Sequence, residues 1–288
     1  MEHLALYRKY RPKTFEDVIG QEHITRALQN QIVSDKVNHA YLFTGSRGVG
    51  KTSVARIFAK AVNCQHNING SPCGQCETCK RLENENDINI IEIDAASNNR
   101  VDDVREIREK VKFLPVGAKY KVYIIDEVHM LTDSAFNALL KTLEEPPSHV
   151  IFILATTEAH KLPPTILSRC IRFDFRLVST SDLVKQLQII FDKEGIEYDN
   201  DALRLIANAG EGSVRDTLSI ADCVVAYSDK KVTKECVMRV LGTTDYDLLI
   251  EFFDLINKKD IGGILDFVNK IDSSGTVSYT HLTLPTIA

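Results

Sequence analysis

The sequence lacks any run of apolar residues long enough to cross a membrane. A membrane-spanning helix needs about 18 or more consecutive apolar residues, and no segment of this chain approaches that length. The first residues, MEHLALYRKYRP, also lack the apolar centre of a secretory signal peptide. We therefore expect a cytoplasmic protein that has no membrane partner.

An excess of positive charge is also absent. The 35 Lys and Arg residues are outnumbered by 40 Asp and Glu residues, and the formal net charge is −5. This balance excludes a protein that holds nucleic acid through an overall basic surface, so any DNA contact has to use a local basic patch. There is no internal repeat or low-complexity segment, and a hydrophobic content of 44% is typical of compact globular domains.

Short β-branched runs alternate with helical segments through the middle of the chain, from residue 40 onward. The runs are AYLFT, INIIEI, KVYIID, VIFILAT and CIRFDF. This alternation predicts an α/β domain with a parallel sheet. After Arg176 the β-branched runs stop, and residues 180–242 predict helices that end at glycines. A further helical stretch begins after Gly242 and is too short to form a domain alone.

A glycine-rich segment follows the first of these runs and precedes an amphipathic helix. Residues 45–52 match the pattern G-x-x-x-x-G-K-[ST] of a phosphate-binding loop. Glycines let successive amides turn toward a phosphate, Lys51 reaches the β- and γ-phosphates, and the Thr52 hydroxyl binds Mg²⁺. The segment therefore predicts a site for a nucleoside triphosphate with magnesium; a plain glycine turn is the alternative. The predicted nucleotide-binding residues are Gly45, Ser46, Arg47, Gly48, Val49, Gly50, Lys51, Thr52 and Ser53.

Two acidic residues, Asp126 and Glu127, follow the third run. Ligands of open α/β sheets collect at the carboxyl ends of the strands. Asp126 would hold Mg²⁺ through water, and Glu127 would polarise the attacking water; a helix cap or a solvated turn is the alternative for such a pair. The next run brings Thr156 and Thr157 to the same edge, where either hydroxyl is a candidate sensor of the γ-phosphate.

Two arginines lie in motifs farther along the chain. Arg169 belongs to the segment LSRC, which follows a proline pair, and Arg215 belongs to GSVRD in the helical region. Either cation would neutralise charge that develops on a transferred phosphoryl group. A surface salt bridge is the alternative for each of them.

Four of the seven cysteines are clustered with the spacing C-x₈-C-x₂-C-x₂-C in a polar segment. They are Cys64, Cys73, Cys76 and Cys79. An odd total without an export signal argues against disulfides, and four thiolates suit tetrahedral Zn²⁺ in a closed structural site. An iron–sulfur cluster and unrelated free thiols stay open as alternatives. We expect the remaining Cys170, Cys223 and Cys236 to lie in the core.

Together these motifs resemble the AAA+ ATPase family and, within it, the gamma/tau type of bacterial clamp-loader subunit. The resemblance covers most of the chain and ends near residue 275. The motifs that carry it are Tyr7-Arg8-Lys9-Tyr10-Arg11-Pro12, Val18-Ile19-Gly20-Gln21, the phosphate loop, the cysteine cluster, DEVHML, LEEPP, ATTEAHKLPPTILSRC and GSVRD.

The resemblance implies a division of the chain. It implies a nucleotide-binding AAA+ core at residues 1–178 with the zinc module inserted near residues 64–79. A helical lid at 179–242 and the beginning of a helical collar domain at 243–275 would follow. We expect the last residues, 276–288, to be a non-native tail because their β-branched and hydroxyl residues interrupt a helical pattern.

The resemblance also implies roles for single residues. Thr157 or Thr156 would be the first sensor, and Arg215 would contact the nucleotide of its own subunit. Arg169 would be an arginine finger that reaches the ATP of a neighbouring subunit, so that an isolated monomer is a poor ATPase. The residues implied to surround the adenine and ribose are Tyr7, Arg11, Val18 and Ile19.

A possible DNA contact lies near residues 94–105, which follow the second run and open a helix. Clamp loaders of this type enclose primer-template DNA in a spiral of subunits, and the resemblance would place three basic residues on the inner surface. These are Arg100, Arg105 and Lys141. A solvated helix face with mixed charge is the alternative.

The implied activity is ATP-driven loading of sliding clamps onto primer-template DNA within a DNA-directed DNA polymerase, which is a nucleotidyltransferase. ATP, Mg²⁺ and Zn²⁺ would be bound, and the partners would be other clamp-loader subunits, the clamp, the DNA and the DNA polymerase III core. Another AAA+ machine is disfavoured by the cysteine cluster and the SRC motif. A structural subunit without nucleotide chemistry is disfavoured by Lys51, Thr52, Asp126 and Glu127.

Overall fold

The computed structural model describes residues 4–82, 87–228, 231–242 and 246–273. No helix in this described part of the chain is both long and apolar enough to span a bilayer. The expected non-native tail at 276–288 lies outside the described residues.

A parallel sheet forms the centre of the first part of the chain. Its order is β2-β3-β4-β1-β5, and every neighbouring pair is parallel. All five strands therefore end at one edge, where loops from distant parts of the sequence meet. The strands are β1 (Ala40–Thr44), β2 (Ile90–Asp94), β3 (Lys121–Asp126), β4 (Val150–Thr156) and β5 (Ile171–Asp174).

Helices account for most of the remaining described structure. In the first part of the chain they are α1 (Leu6–Lys9), α2 (Glu22–Val33), α3 (Lys51–Asn63), α4 (Glu77–Arg81), α5 (Val101–Lys110), α6 (Asp133–Glu144) and α7 (Pro164–Leu167). In the second part they are α8 (Thr180–Glu194), α9 (Asn200–Ala209), α10 (Val214–Tyr227), α11 (Lys234–Leu241), α12 (Tyr246–Asn257) and α13 (Ile261–Ser273). Short 3-10 turns lie at Val128–Met130 and Ala159–Lys161.

The sheet is buried on both faces because successive strand residues point to opposite sides. On β1, Tyr41 and Phe43 join a core cluster that contains Phe58 of α3. Ala40 and Leu42 join a second cluster, on the other face, that includes residues of α5 and α6. Helices cover both faces of the sheet, and the predicted α/β domain with a parallel sheet is confirmed.

A third core cluster holds the helices that follow the sheet. Residues of α8, α9, α10 and α11 pack together, and Leu6 of α1 packs among them. The backbone N–H of Leu6 donates a hydrogen bond of 2.8 Å to Asp222 on α10. Helix α1 therefore packs on the helical part, although it precedes the sheet in the sequence.

The helical prediction for residues 180–242 omitted one feature. A short parallel pair joins β6 (Glu197–Tyr198) to β7 (Lys231–Val232). Beyond it, α12 and α13 pack against each other, with the rings of Phe252 and Phe267 stacked at 5.2 Å between centroids. The predicted helical stretch after Gly242 is thus present in the described residues, while its assignment to a collar domain stays a prediction.

Candidate nucleotide site and metal centre

The phosphate loop joins β1 to α3 and depends on its glycines. Gly45, Gly48 and Gly50 have φ angles of 146°, 75° and 101°, in the region that side chains with a Cβ rarely adopt. A Cβ on Gly45 would lie 2.6 Å from the carbonyl oxygen of Phe175, and one on Gly48 would lie 2.0 Å from the Ser213 hydroxyl. The loop is therefore held in shape both by its own backbone and by the close approach of the helical part.

Lys51 begins α3 and is almost fully buried, with 6% of its surface exposed. Its ammonium group donates hydrogen bonds of 2.7 Å and 2.8 Å to the carbonyls of Gly45 and Ser46. Burial lowers the pKa of Lys51, and the carboxylates of Glu127 and Asp126 oppose that shift. The cation is thus fixed inside the loop, where an anionic phosphate would stabilise its charge.

The predicted magnesium ligands lie together. The Thr52 hydroxyl donates a hydrogen bond of 2.6 Å to Oδ2 of Asp126 at the end of β3. A hydroxyl and a carboxylate are oxygen ligands of the type that Mg²⁺ prefers. The two residues fit a magnesium site, and their roles stay predictions.

Glu127 adopts a left-handed backbone conformation with φ of 47° directly after β3. This conformation is uncommon for a residue with a Cβ and often marks a functional constraint. The Thr157 hydroxyl donates a hydrogen bond of 3.1 Å to Oε2 of Glu127. Thr156 is fully buried, and its hydroxyl accepts the backbone N–H of Glu158 at 3.0 Å. The geometry favours Thr157 over Thr156 as the side chain that faces a nucleotide.

His129 also belongs to this site, and the sequence analysis did not include it. The imidazole Nδ1 lies 3.0 Å from Thr156 Oγ1 and 3.4 Å from Glu127 Oε2. Its Nε2 lies 3.1 Å from Oε2 of Glu158. The only sequence signal for this residue is its position two places after Glu127 in the motif DEVHML.

Arg215 reaches the phosphate loop from the helical part. Its backbone N–H donates a hydrogen bond of 3.3 Å to the carbonyl of Gly48. Its guanidinium carbon lies 5.3 Å from the ring centroid of Tyr7, within the range of a cation–π interaction. Two of the residues assigned to the nucleotide by resemblance, Tyr7 and Arg215, therefore lie beside the loop.

Arg11 and the segment that follows it also lie near the phosphate loop and the start of α3. The Arg11 guanidinium donates a hydrogen bond of 3.1 Å to the Ser53 hydroxyl. Val18 packs against the core cluster that contains Phe58, while Ile19 packs against the cluster of the helical part. The segment thus bridges the two parts of the chain beside the loop. A site for adenine and ribose between them stays a prediction.

Arg169 lies apart from these groups. Its guanidinium forms an ion pair of 2.8 Å with Glu144 and donates to the carbonyl of Thr165 at 2.8 Å and to the Ser168 hydroxyl at 3.3 Å. Within the described residues, none of these hydrogen bonds or ion pairs involves the phosphate loop. The role of Arg169 as an arginine finger for a neighbouring subunit stays a prediction.

The three predicted DNA contacts are exposed residues on one pair of packed helices. Arg100 immediately precedes α5 and Arg105 lies on it, whereas Lys141 lies on α6, which packs against α5. Arg105 forms an exposed ion pair of 2.8 Å with Asp102. Their exposure is compatible with DNA contact and equally with a solvated face, so both interpretations stay open.

The four clustered cysteines have the geometry of a metal centre. All four sulfur atoms lie within 4.8 Å of one another. The Cys64–Cys76 and Cys73–Cys79 sulfur distances are 4.0 Å and 3.9 Å. Zinc–sulfur bonds of about 2.3 Å place the corners of a tetrahedron about 3.8 Å apart. The cluster therefore fits a tetrahedral ion of this size.

Backbone amides donate to three of these sulfur atoms, whereas burial raises the pKa of the Cys64 and Cys79 thiols. The N–H groups of Cys73, Cys76 and Cys79 each donate to the sulfur of another cysteine in the cluster at 3.4 Å. Burial raises the pKa of the Cys76 thiol, but the N–H groups of Cys79 and Gln65 outweigh it, and the pKa is lowered to about 6. Thiolates bind zinc, so this donor set suits a structural zinc ion.

The expectation for the remaining cysteines is partly wrong. Cys223 is exposed on α10, whereas Cys170 and Cys236 are half-buried. Burial raises the pKa of the Cys170 thiol to about 11. Cys170 packs against a core cluster, whereas Cys223 is exposed to solvent.

Two protein families match the chain in adjacent segments. The family described as "DNA polymerase III, delta subunit" matches residues 20–179. The family described as "DNA polymerase III clamp loader subunit, ATPase lid domain" matches residues 182–230. The change from one family to the other coincides with the change from the sheet to the helical part.

Curated relatives are similar over nearly the whole chain. DNA polymerase III subunit tau of Bacillus subtilis strain 168 is 49% identical over 275 residues, which are 96% of this chain and 49% of that protein. The tau subunit of Escherichia coli K12 is 45% identical, covering 96% of this chain and 43% of that protein. The chain thus spans less than half the length of these two relatives. Subunit gamma of Buchnera aphidicola subsp. Acyrthosiphon pisum is 42% identical, covering 96% of this chain and 76% of that protein.

A solved structure confirms the fold. The Thermotoga maritima RuvB Holliday junction branch migration motor matches with a TM-score of 0.62 over 86% of this chain and 79% of that one. The two sequences are 20% identical, so the likeness concerns the fold alone. The finer assignment rests on two findings. One is the family match over residues 20–179, and the other is the Buchnera gamma subunit, of which this chain covers 76%. The chain therefore belongs to the gamma/tau family of DNA polymerase III clamp-loader subunits.

Proposed function

We propose that this chain is an ATP-hydrolysing motor subunit that loads sliding clamps onto primer-template DNA. The observation that carries the proposal is the meeting of the phosphate loop with two acidic residues at one sheet edge. There Thr52 is hydrogen-bonded to Asp126, and Glu127 is hydrogen-bonded to Thr157. A loop for phosphates, a pair of oxygen ligands for magnesium and a carboxylate for water are the parts that phosphoryl transfer to water needs.

Each residue has a distinct task in the proposed reaction. The loop amides and Lys51 bind the phosphates, and Thr52 and Asp126 hold Mg²⁺, which neutralises charge on the phosphate oxygens. Glu127 accepts a hydrogen bond from the attacking water and thereby orients it, while Thr157 orients Glu127. Arg215 links the loop to the lid, so that nucleotide binding favours one arrangement of the core and the lid. The proposed chemistry is hydrolysis of ATP, and nucleotide polymerisation would belong to other subunits.

The proposal includes assembly with other chains. Arg169 is paired with Glu144 in its own chain and would complete the site of a neighbouring subunit. Hydrolysis would then require a ring of subunits, with the sliding clamp, primer-template DNA and the DNA polymerase III core as further partners. Arg100, Arg105 and Lys141 would contact DNA backbone phosphates, with steep salt dependence and little sequence preference. A role in DNA replication would place the protein in the bacterial cytoplasm.

We also propose zinc as the ion of the cysteine cluster. An inert ion suits the insert, because α4 has five residues and the segment between Cys64 and Cys79 has few apolar side chains of its own. Domain limits at 1–178 and 179–242 are part of the same proposal, supported by the adjacent family matches at 20–179 and 182–230.

The test uses the full-length chain assembled with its partner subunits. We expect Lys51→Ala to abolish ATP binding, and Glu127→Gln to retain binding while abolishing hydrolysis. Clamp loading would fail in both variants. Cys223→Ser is the matched control, because its side chain is exposed and lies outside both sites. Unchanged loading by both active-site variants would instead indicate a structural subunit without nucleotide chemistry.

A further inference from the structure

We propose that His129 is a positioning residue that ties the catalytic carboxylate of Glu127 to the segment that carries Arg169. This inference rests on the proposed function, because it assigns a role relative to Glu127 as the residue that orients water.

The backbone after β3 places His129 beside the end of the neighbouring strand, β4. Glu127 adopts its left-handed conformation after β3, and the 3-10 turn Val128–Met130 follows at once. The backbone N–H of Met130 donates a hydrogen bond of 2.9 Å to the carbonyl of Glu127, which closes the turn. The imidazole of His129 therefore lies between the ends of β3 and β4, with only 8% of its side chain exposed.

Each nitrogen of the ring has a polar partner on a different segment. Nδ1 lies 3.0 Å from the Thr156 hydroxyl and 3.4 Å from Oε2 of Glu127. Nε2 lies 3.1 Å from Oε2 of Glu158. An ionised carboxylate only accepts hydrogen bonds, so a ring that binds both Glu158 and Glu127 must carry a proton on each nitrogen. A nearly buried ring with both nitrogens engaged has little freedom to rotate.

The His129 ring connects the turn after β3, which carries Glu127, to the segment after β4, which leads to Arg169. Thr156 ends β4, and Glu158 begins the segment that continues through α7 to Arg169. The same segment supplies Thr157, whose hydroxyl contacts the same oxygen of Glu127. Glu127 thus contacts both Thr157 and His129. Thr157 belongs to the segment that carries Arg169, and His129 contacts Thr156 and Glu158 at the start of that segment. A shift of that segment would move Glu127.

The chemistry of the two nitrogens permits a sharp experiment. His129→Asn keeps a polar atom near the place of Nδ1, whereas His129→Gln keeps one near the place of Nε2. His129→Ala removes both. His149 provides the control, since it is a half-buried histidine at the opposite end of β4, whose Nε2 lies 3.0 Å from the carbonyl of Val111.

The measurements are kcat and KM for ATP, and equilibrium ATP binding, in complexes assembled with the full-length chain and its partner subunits. We expect His129→Ala and His129→Gln to lower kcat by about 10- to 100-fold, the size expected when a reacting group is misplaced by a fraction of an ångström to an ångström. ATP affinity should change less than about twofold, because the ring's hydrogen bonds and ion pairs among the described residues go to Thr156, Glu127 and Glu158 and not to the phosphate loop. His129→Asn should recover most of the rate, and His149→Ala should match the parent protein.

Two results would overturn the inference: an unchanged kcat in His129→Ala, or equal rates for the Asn and Gln variants. A Glu127→Gln complex measured in parallel separates this outcome from a failure of the proposed function. If Glu127→Gln abolishes hydrolysis while His129→Ala does not alter it, only the role of His129 is refuted. If both variants hydrolyse ATP normally, the proposed function itself is refuted.

Discussion

The Thr52 hydroxyl is hydrogen-bonded to the Asp126 carboxylate at 2.6 Å, although the two residues are 74 positions apart in the sequence. Thr52 lies in the first turn of α3, and Asp126 ends β3. The contact exists because β1 and β3 are both bonded to β4 in parallel and finish at the same edge of the sheet. It joins the phosphate loop to the acidic pair and is the basis of the proposed magnesium site.

Replacement of the Thr52 hydroxyl should uncouple magnesium from nucleotide binding. In Thr52→Ala, the oxygen that faces Asp126 is lost, so Mg²⁺ should no longer strengthen nucleotide binding appreciably. Thr52→Ser keeps the oxygen and should retain most of the effect. Titration of a fluorescent ATP analogue with and without Mg²⁺ measures this difference. An equal magnesium effect in the Ala variant and the parent protein would contradict the assignment of Thr52.

Removal of Arg169 should stop hydrolysis without unfolding the chain. Its ion pair with Glu144 joins partly exposed side chains, and such pairs contribute about 0 to 1 kcal/mol, so Arg169→Ala should alter the melting temperature little. ATP binding should also persist. The ATPase rate of the assembled complex should fall by about 10³-fold or more, as for other arginine fingers.

The control for this variant is Arg172→Ala. Arg172 lies three positions later and forms a similar exposed ion pair, of 2.7 Å, with Asp174. We expect its complexes to hydrolyse ATP at nearly the parent rate. Similar rates for the Arg169 and Arg172 variants would exclude an arginine finger at Arg169.

The cysteine cluster should hold one zinc ion per chain. Cys76→Ser should lose the ion and destabilise the insert, because zinc binding at such sites contributes about 10 to 16 kcal/mol near pH 7. Cys223→Ser removes an exposed cysteine outside the cluster and should retain the ion. Elemental analysis and thermal unfolding measure the two effects. Iron in place of zinc, with visible absorption, would favour the iron–sulfur alternative.

Acid should release this ion. Zinc binds the thiolate, and the lowered pKa of Cys76, about 6, keeps that thiol ionised at neutral pH. Burial raises the pKa of the Cys64 and Cys79 thiols, so protons already compete with the metal at those sulfurs near neutral pH, and the affinity should decrease continuously as the pH falls. Competition with a chelator, repeated from about pH 8 to about pH 5, would measure how the zinc affinity changes with pH.

Two buried tyrosines should respond oppositely to replacement by phenylalanine. The Tyr41 hydroxyl donates to Gln31 at 2.6 Å and accepts the N–H of Asn38 at 2.8 Å, so Tyr41→Phe should destabilise the fold by about 0.5 to 1.5 kcal/mol. The buried Tyr123 hydroxyl has no hydrogen-bond partner among the described residues. Tyr123→Phe should therefore be neutral or stabilising.

Alkaline unfolding provides a second measurement on the same pair. Burial raises the pKa of both Tyr41 and Tyr123 to about 12. Between the ordinary pKa of about 10 and this value, the folded chain keeps protons that the unfolded chain loses, so stability falls as the pH rises. Each Phe variant should lose less stability than the parent protein across this interval. A steeper loss in either variant would contradict the assignment.

Much of the nucleotide site was predictable because its parts are local. The glycines, Lys51 and Thr52 lie in one short segment between a strand and a helix, so their spacing alone predicts where they will lie. The order of the flanking elements also predicts that Asp126 reaches the same edge, since parallel strands end together. The cysteines are equally local, which is why their spacing predicts a metal centre that the sulfur distances fit.

Other features required the tertiary structure. Strand β4 is buried on both faces, so it has no polar alternation to show whether Thr156 or Thr157 turns toward Glu127. Helix α10 has small apolar residues around much of its circumference, and the pattern therefore did not reveal that Cys223 is exposed. His129 has little sequence signal beyond its place two residues after Glu127, because Thr156 and Glu158 lie far from it in the sequence.

The sequence by itself determined the fold class, the phosphate loop and the cysteine cluster. Each of these features shows in a short segment: the fold class in the period of the apolar residues, the loop in the position of its glycines, and the metal centre in the spacing of its ligands. Only the tertiary structure decided which hydroxyl faces Glu127, that His129 joins it to the segment of Arg169, and that Arg215 of the helical part touches the loop. Those relationships depend on strand register and on the packing of the lid against the core. Both are set by contacts between residues far apart in the chain, and a local pattern does not encode them.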